Sequence, residues 1–216
     1  MNRDLFDDNP TQAAQQPLAP GALLLRGFAL PRVAALLAGV QQVTAQAPLR
    51  TMLTPSGLRM SVAMTNCGAL GWVSDHRGYR YEAIDPHSGA PWHTMPAAFA
   101  ALARDAAAQA GFAGFEPDAC LVNRYEAGTR LSLHQDRDER DFGAPIVSVS
   151  LGLPAVFLFG GPNRSDKAQR ITLAHGDVVV WGGPARLHHH GVLPLKPGHH
   201  ALLGGQRINL TLRKAG

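Results

Sequence analysis

Apolar and polar positions change rhythm twice along this chain. Residues 22–28 are mostly apolar and predict a short strand. Over residues 31–46 the apolar positions recur at helical spacing, with Val33, Leu36, Leu37 and Val40 on one face and Pro31 suited to a first turn. Residues 96–109 are Ala-rich and predict a second helix, closed by Gly111. Between the helices, residues 51–92 hold Gly, Pro, Met, Asn and aromatic side chains in pieces too irregular to predict a core. From residue 118 onward, short apolar or alternating runs predict strands over 119–125, 130–135, 146–151, 156–159, 170–173, 178–181, 186–192 and 207–213. So many short strands separated by turn residues imply a sandwich, jelly roll or barrel, a mainly β fold with flanking helices (α+β).

Composition narrows this without redirecting it. The chain has 216 residues, 23 of them glycine and 16 proline, and only 17% charged against about 25% in an average globular protein. That suits turn-rich β structure and excludes a coiled coil. Cys67 and Cys120 stand far apart, which excludes a disulfide scaffold and a Cys-rich zinc module. The first twenty residues read as a flexible arm without an apolar signal region, so a cytoplasmic location and no membrane association are expected. A net charge of +4 permits a polyanionic partner without demanding one.

The chemistry is carried by polar residues on strand faces. In Leu131-Ser132-Leu133-His134-Gln135-Asp136, period-two geometry puts His134 and Asp136 on the same side. With a second, distant histidine they supply two imidazoles and one carboxylate, the set that non-haem Fe(II) oxygenases use to leave three coordination positions open. The second histidine is expected from residues 186–192, where alternation puts both His188 and His190 on one face and leaves the choice between them open. The last strand alternates throughout: Ile208, Leu210 and Leu212 face a core, while Arg207, Asn209, Thr211 and Arg213 face the other way. Asn123 and Tyr125 likewise share a face. Two guanidiniums, two amides and a phenol make a receptor for a dicarboxylate, because arginine binds carboxylates in bidentate fashion.

These motifs, together with Pro145-Ile146-Val147-Ser148-Val149-Ser150-Leu151-Gly152, His175-Gly176-Asp177-Val178-Val179-Val180-Trp181-Gly182-Gly183 and Met60-Ser61-Val62-Ala63-Met64-Thr65-Asn66-Cys67-Gly68, resemble the bacterial AlkB DNA-repair dioxygenases over nearly the whole chain. The resemblance implies a double-stranded β-helix (jelly-roll) core over about 118–213, an N-terminal nucleotide-recognition lid over about 51–92, and a single dioxygenase domain over 21–216. It implies Fe(II) on His134, Asp136 and His190, with the His-Gly pair selecting His190. It also implies 2-oxoglutarate on Asn123, Tyr125, Arg207, Asn209 and Arg213, with O2 as the oxidant. For the substrate it implies Trp72 stacked on the damaged base opposite His134, Asp138 on the exocyclic amine, and Thr54 and Tyr79 at the phosphates. Arg164, with Arg59, Arg77, Arg80, Arg130 and Arg137, would supply cations along the strand, and Met64 would line the pocket.

The implied reaction is oxidative demethylation of 1-methyladenine and 3-methylcytosine, with release of formaldehyde, succinate and CO2. Single-stranded DNA is the expected substrate, duplex DNA and RNA are further candidates, and the protein is expected to act as a monomer. The alternatives are a 2-oxoglutarate oxygenase for RNA, protein or a small molecule, a hydrolytic zinc enzyme, and a cupin-like binding module. The zinc enzyme leaves Arg207 and Arg213 unexplained on one face, and the binding module predicts no oxygen consumption with 2-oxoglutarate.

Overall fold

The structure, a computed structural model, describes residues 14–216. It opens with an antiparallel hairpin, β1 (Gln15–Ala19) and β2 (Ala22–Leu25). A 3-10 turn over Leu30–Arg32 then leads into helix α1 (Val33–Gln46). Next come β3 (Ala63–Gly68), the hairpin β4 (Gly71–Asp75) and β5 (Gly78–Glu82), and helix α2 (Ala97–Gln109). The remaining strands are β6 (Ala119–Tyr125), β7 (Leu131–His134), β8 (Ile146–Gly152), β9 (Ala155–Phe159), β10 (Gln169–Leu173), β11 (Val178–Trp181), β12 (His190–Val192) and β13 (Arg207–Arg213).

The strands form a seven-stranded sheet in the order β1-β2-β11-β8-β13-β6-β3 and a four-stranded sheet in the order β10-β9-β12-β7, with every pairing antiparallel. The hairpin β4-β5 stands apart as a third, two-stranded sheet. This is the expected jelly-roll core with flanking helices.

Two cores hold the layers together, and strand alternation sorts residues between them. On one face of the large sheet, Val122, Val147, Val149, Val178, Val180, Ile208, Leu210 and Leu212 pack against Leu36 and Val43 of α1 and Phe99, Leu102 and Ala106 of α2. On its other face, Leu24, Leu121, Tyr125, Ile146, Val179 and Trp181 meet Phe157, Phe159, Ile171 and Val192 of the small sheet. β13 is buried at every position, so its polar face does not look into solvent. Arg207, Asn209, Thr211 and Arg213 alternate with residues of the helix-side core and therefore project into the space between the sheets.

Several expectations need correction. β2 stops at Leu25, short of residue 28. The expected arm is already a strand over Gln15–Ala19, while the rest of that expectation, residues 1–13, lies outside the described residues. The irregular stretch 51–92 does contribute to the core: β3 is the edge strand of the large sheet, and Val62, Met64 and Cys67 are buried. Residues 186–192 do not form one strand. Gly183–Ala185 make a 3-10 turn, Arg186 keeps helical dihedrals, and the strand begins only at His190.

Outside the sheets, Arg50 donates two hydrogen bonds to Asp85, at 2.9 and 2.5 Å, and lies 5.5 Å from the Trp92 ring centre. Burial pushes the Asp85 carboxyl up. The Arg50 guanidinium and the His87 backbone N–H outweigh this and hold it below its usual value. A carboxyl whose pKa is depressed by folding stabilises the fold above its unfolded pKa and loses that contribution as pH falls through the folded value. Asp85→Asn is therefore expected to destabilise the protein by about 3 kcal/mol at pH 7 in urea melts. The gap from the parent protein should close as the pH is taken below about 4.

Candidate active site

Three ligand-type side chains converge at the mouth of the space between the sheets. His134 ends β7 and His190 begins β12, and the two are directly paired across those strands. Asp136 follows two residues after His134, beyond the end of the strand. One ligand atom from each of the three lies within 4.8 Å of the others. His134 Nε2 is 3.5 Å from Asp136 Oδ1, and His190 Nε2 is 3.7 Å from Asp136 Oδ2.

The ring orientations are fixed from behind. His134 Nδ1 lies 2.8 Å from the Ser132 carbonyl and His190 Nδ1 lies 3.1 Å from the His188 carbonyl. A carbonyl only accepts, so each Nδ1 carries the proton and each Nε2 is left with its lone pair toward the cluster. Gly191 is required here by close approach: a Cβ on it would sit 2.7 Å from the Leu131 carbonyl oxygen. Any side chain at that position would push β12 off β7 and part the two histidines, which is the physical content of the His-Gly pair.

The charges around the cluster are arranged for a cation. Burial and the neighbouring His134 push His190 down to about 3, so its imidazole is neutral at physiological pH. Burial also works against charge on His134, but the Asp136 carboxylate overcomes it and raises that imidazole. Burial pushes Asp136 up, yet Arg213 and the two histidines hold it well below the usual carboxylate range. Arg213 reaches Asp136 Oδ2 through Nη2 (2.6 Å) and Nε (3.0 Å) and lies 3.3 Å from Glu139 Oε1. Glu139 Oε2 accepts from Arg186 Nη2 at 3.0 Å, and Arg186 Nη1 donates to the Asp136 backbone carbonyl at 2.7 Å. Tyr81, on β5, donates its hydroxyl to Glu139 Oε1 at 2.7 Å.

Deeper between the sheets lies a second polar group. β13 pairs with β6 so that Arg207 opposes Tyr125 and Asn209 opposes Asn123, and with β8 so that Asn209 opposes Ser150 and Thr211 opposes Ser148. Asn209 Nδ2 donates to Ser148 Oγ at 2.8 Å and Thr211 Oγ1 donates to Asn209 Oδ1 at 2.9 Å. Arg207 is 1% exposed, lies 5.0 Å from the Tyr125 ring centre and donates from Nη2 to Ser150 Oγ at 2.9 Å. Among the described residues its Nε and Nη1, and Asn123 Oδ1, have no hydrogen-bond partner, and Arg207 pairs with no carboxylate. A buried guanidinium with two idle nitrogens and no counter-ion is expensive, and an anionic ligand with its own acceptor oxygens completes it.

The remaining candidates divide. Trp72 donates from Nε1 to Asp138 Oδ2 at 2.8 Å and stacks on Tyr79, with ring centres 5.5 Å apart and planes 14° off parallel. Arg164 Nη1 donates to the Leu133 carbonyl, beside His134. Thr54 lies in a tight turn, where its hydroxyl contacts Ser56 Oγ and accepts from the Leu58 N–H. Met64 is 2% exposed and packs in the core between the sheets. Arg80 is not a free cation, because Asp75 and Glu82 of the same hairpin pair with it, and Arg77 lies near the same two acids.

Sequence reasoning missed Glu139, Arg186, Tyr81, Ser148, Ser150 and Asn66. Ser148 and Ser150 alternate with Val147 and Val149, a signal as regular as that of β13. Asn66 clamps the Trp72 backbone with both ends of its amide. It, Tyr81 and Arg186 carry no local pattern, because their partners come from distant segments.

Comparison with known proteins agrees with this geometry. The family profile described as the 2OG-Fe(II) oxygenase superfamily matches residues 21–213. The chain is 57% identical over 212 residues to the alpha-ketoglutarate-dependent dioxygenase AlkB of Salmonella typhimurium, covering 98% of this chain and 97% of that one. It is 54% identical over 213 residues to AlkB of Escherichia coli, covering 99% and 98%. The solved structure of OsALKBH1 superposes with a TM-score of 0.82 at 31% identity, over 93% of this chain and all of that one. A full-length match at this identity, on a fold that brings two histidines and an aspartate together beside a buried, unpaired arginine, places the chain in the AlkB family of Fe(II)- and 2-oxoglutarate-dependent dioxygenases.

Proposed function

We propose that this enzyme demethylates N-alkylated nucleobases, chiefly 1-methyladenine and 3-methylcytosine, in single-stranded DNA, and acts as a monomer. The observation that carries the reading is the aromatic hairpin beside the metal cluster: half-buried Trp72 and exposed Tyr79 on β4-β5, with Asp138 hydrogen-bonded to the indole two residues from Asp136. Flat aromatic faces beside an acceptor suit a base taken out of its stack, and lesions that block pairing are the easiest to extrude. The AlkB relatives, and a protein of Arabidopsis thaliana named as a DNA N(6)-methyladenine demethylase that matches 45% of this chain, support a nucleic-acid substrate. On this reading the nucleotide-recognition lid expected over about 51–92 is centred on the β4-β5 hairpin. Arg130, Arg137 and Arg164, exposed and not ion-paired with a described residue, supply its cations. No described helix is long and apolar enough to cross a membrane.

The residues fit the group the family uses. His134 and His190 would ligate Fe(II) through Nε2, and Asp136 through a carboxylate oxygen. Arg207 would take the distal carboxylate of 2-oxoglutarate on its idle Nε and Nη1, steadied by Asn123, Tyr125 and Asn209, and Arg213 would face the other carboxylate while keeping its contact with Asp136. Bound there, Fe(II) and 2-oxoglutarate let O2 oxidise an N-methyl C–H bond, yielding succinate, CO2, formaldehyde and the restored base. The protein's own part is positional. Carbonyls of Ser132 and His188 hold the imidazole tautomers. Arg213 holds Asp136 ionised and oriented. The aromatic walls of Phe157 and Trp181, 6.1 and 4.9 Å from the His190 ring centre, shield the His190 side of the cluster from water.

The decisive assay loads the protein with Fe(II) and 2-oxoglutarate under nitrogen, adds a single-stranded oligonucleotide carrying one 1-methyladenine, and admits O2. Mass spectrometry should record the loss of one methylene, dependent on both additions and abolished by Asp136→Ala. Succinate without a mass change would keep the oxygenase and reject the substrate. Arg207→Met is expected to raise the KM for 2-oxoglutarate roughly 100-fold, since losing one partner of a buried charge pair costs about 2–5 kcal/mol. Initial rates of succinate formation against 2-oxoglutarate concentration check this, and an unchanged KM would remove Arg207 from the cosubstrate site.

A further inference from the structure

Three contacts meet at Trp72. Asn66 grips its backbone, Tyr79 lies nearly parallel to its ring, and its Nε1–H donates to Asp138 Oδ2. Asp138 is exposed, and an exposed aspartate ordinarily moves among several rotamers. Here the indole N–H ties one carboxylate oxygen and leaves Oδ1 as the free acceptor. A single side chain thus offers an aromatic face and also fixes the acid beside that face. The face alone does not choose among bases, because stacking is tolerant of base identity. An oriented carboxylate does choose.

We propose that Trp72 is a specificity-determining positioning residue. Through its indole N–H it sets Asp138 so that the enzyme favours a stacked base presenting an N–H donor and positive charge over one of the same shape presenting a carbonyl. This rests on the reading of the protein as a base demethylase. The chemistry of the lesions gives the contrast. 1-Methyladenine and 3-methylcytosine are cationic in neutral water and carry an exocyclic amine, so they meet a carboxylate in a charge-assisted hydrogen bond. 3-Methylthymine has the same ring size and the same N-methyl position, but it is neutral and turns a carbonyl oxygen to that edge. Enclosing it against Asp138 sets two acceptors together and leaves Oδ1 of the carboxylate unpaired, and such mismatches reject far more strongly than differences in shape. A base covering the indole also excludes water from the Trp72–Asp138 bond, which strengthens it when it is needed.

The test is Trp72→Phe, which keeps an aromatic face and deletes the N–H. Two quantities are compared for single-stranded oligonucleotides carrying one 3-methylcytosine or one 3-methylthymine. One is kcat/KM. The other is binding by fluorescence anisotropy under nitrogen, with 2-oxoglutarate present and Mn(II) in place of Fe(II). The preference for 3-methylcytosine should fall about tenfold in both, the size expected for one hydrogen bond to a charged group. Asp138→Asn should also lower the preference, and adding Trp72→Phe to it should lower it no further. Because the ratio of two substrates is read, a partly unfolded variant does not imitate the effect. Equal losses on both substrates, or a preference unchanged in Trp72→Phe, would overturn the proposal while leaving the demethylase in place. Failure of the parent protein to turn over either oligonucleotide would overturn both.

Discussion

The contact between Arg213 and Asp136 is the constraint around which the rest of this structure is organised. It joins the last residue of β13, in the large sheet, to the segment just beyond β7, in the small one. Both side chains are almost wholly buried, so each charge would be ruinous without the other. Glu139 and Arg186 extend the pair into a cluster of two carboxylates and two guanidiniums that is neutral overall. Arg186 also holds the Asp136 backbone carbonyl, so both the main chain and the side chain of the metal carboxylate are fixed by arginines. Removing any one member would leave an uncompensated buried charge.

That cluster reaches in two directions. Toward the centre of the sheets, the polar face of β13 continues from Arg213 through Thr211 and Asn209 to Arg207, where the hydrogen bonding stops short and two guanidinium nitrogens stay idle. A site built to hold an anion between sheets shows this incompleteness, since only a ligand of opposite charge completes it. Toward solvent, Tyr81 and Trp72 are cross-strand neighbours on the β4-β5 hairpin, and each donates to an acid of the segment that starts at Asp136: Tyr81 to Glu139, Trp72 to Asp138. Gly71 lets the hairpin dock, because a Cβ there would stand 2.3 Å from the Trp92 ring. The aromatic hairpin is therefore tied to the same short run of chain that carries Asp136.

How far this was legible in sequence follows from where each signal resides. β13 could be read completely, because its alternation reports a real division between two environments, although alternation by itself does not say that the polar face is interior. His134 and Asp136 were legible from spacing. His190 was not separable from His188 by periodicity, and the strand assumed for that argument does not exist: the turn at Gly183–Ala185 carries the chain to His190, where pairing with β7 starts. β3 escaped notice because Met64, Thr65, Asn66 and Cys67 are all buried whatever their polarity, so apolar and polar positions do not alternate along it. Glu139, Arg186 and Tyr81 had no local signature. Arg186 and Tyr81 meet Glu139 across 47 and 58 residues of chain, and such contacts exist only once the sheets have closed.

The most direct measurement is a crystal structure of the protein grown under nitrogen with Mn(II) and 2-oxoglutarate. The account predicts one metal ion on His134 Nε2, Asp136 and His190 Nε2. It predicts the distal carboxylate of 2-oxoglutarate on Arg207 Nε and Nη1, with the Arg213–Asp136 contact retained. A metal ion bound through other residues, or a distal carboxylate that leaves Arg207 unpaired, would contradict it.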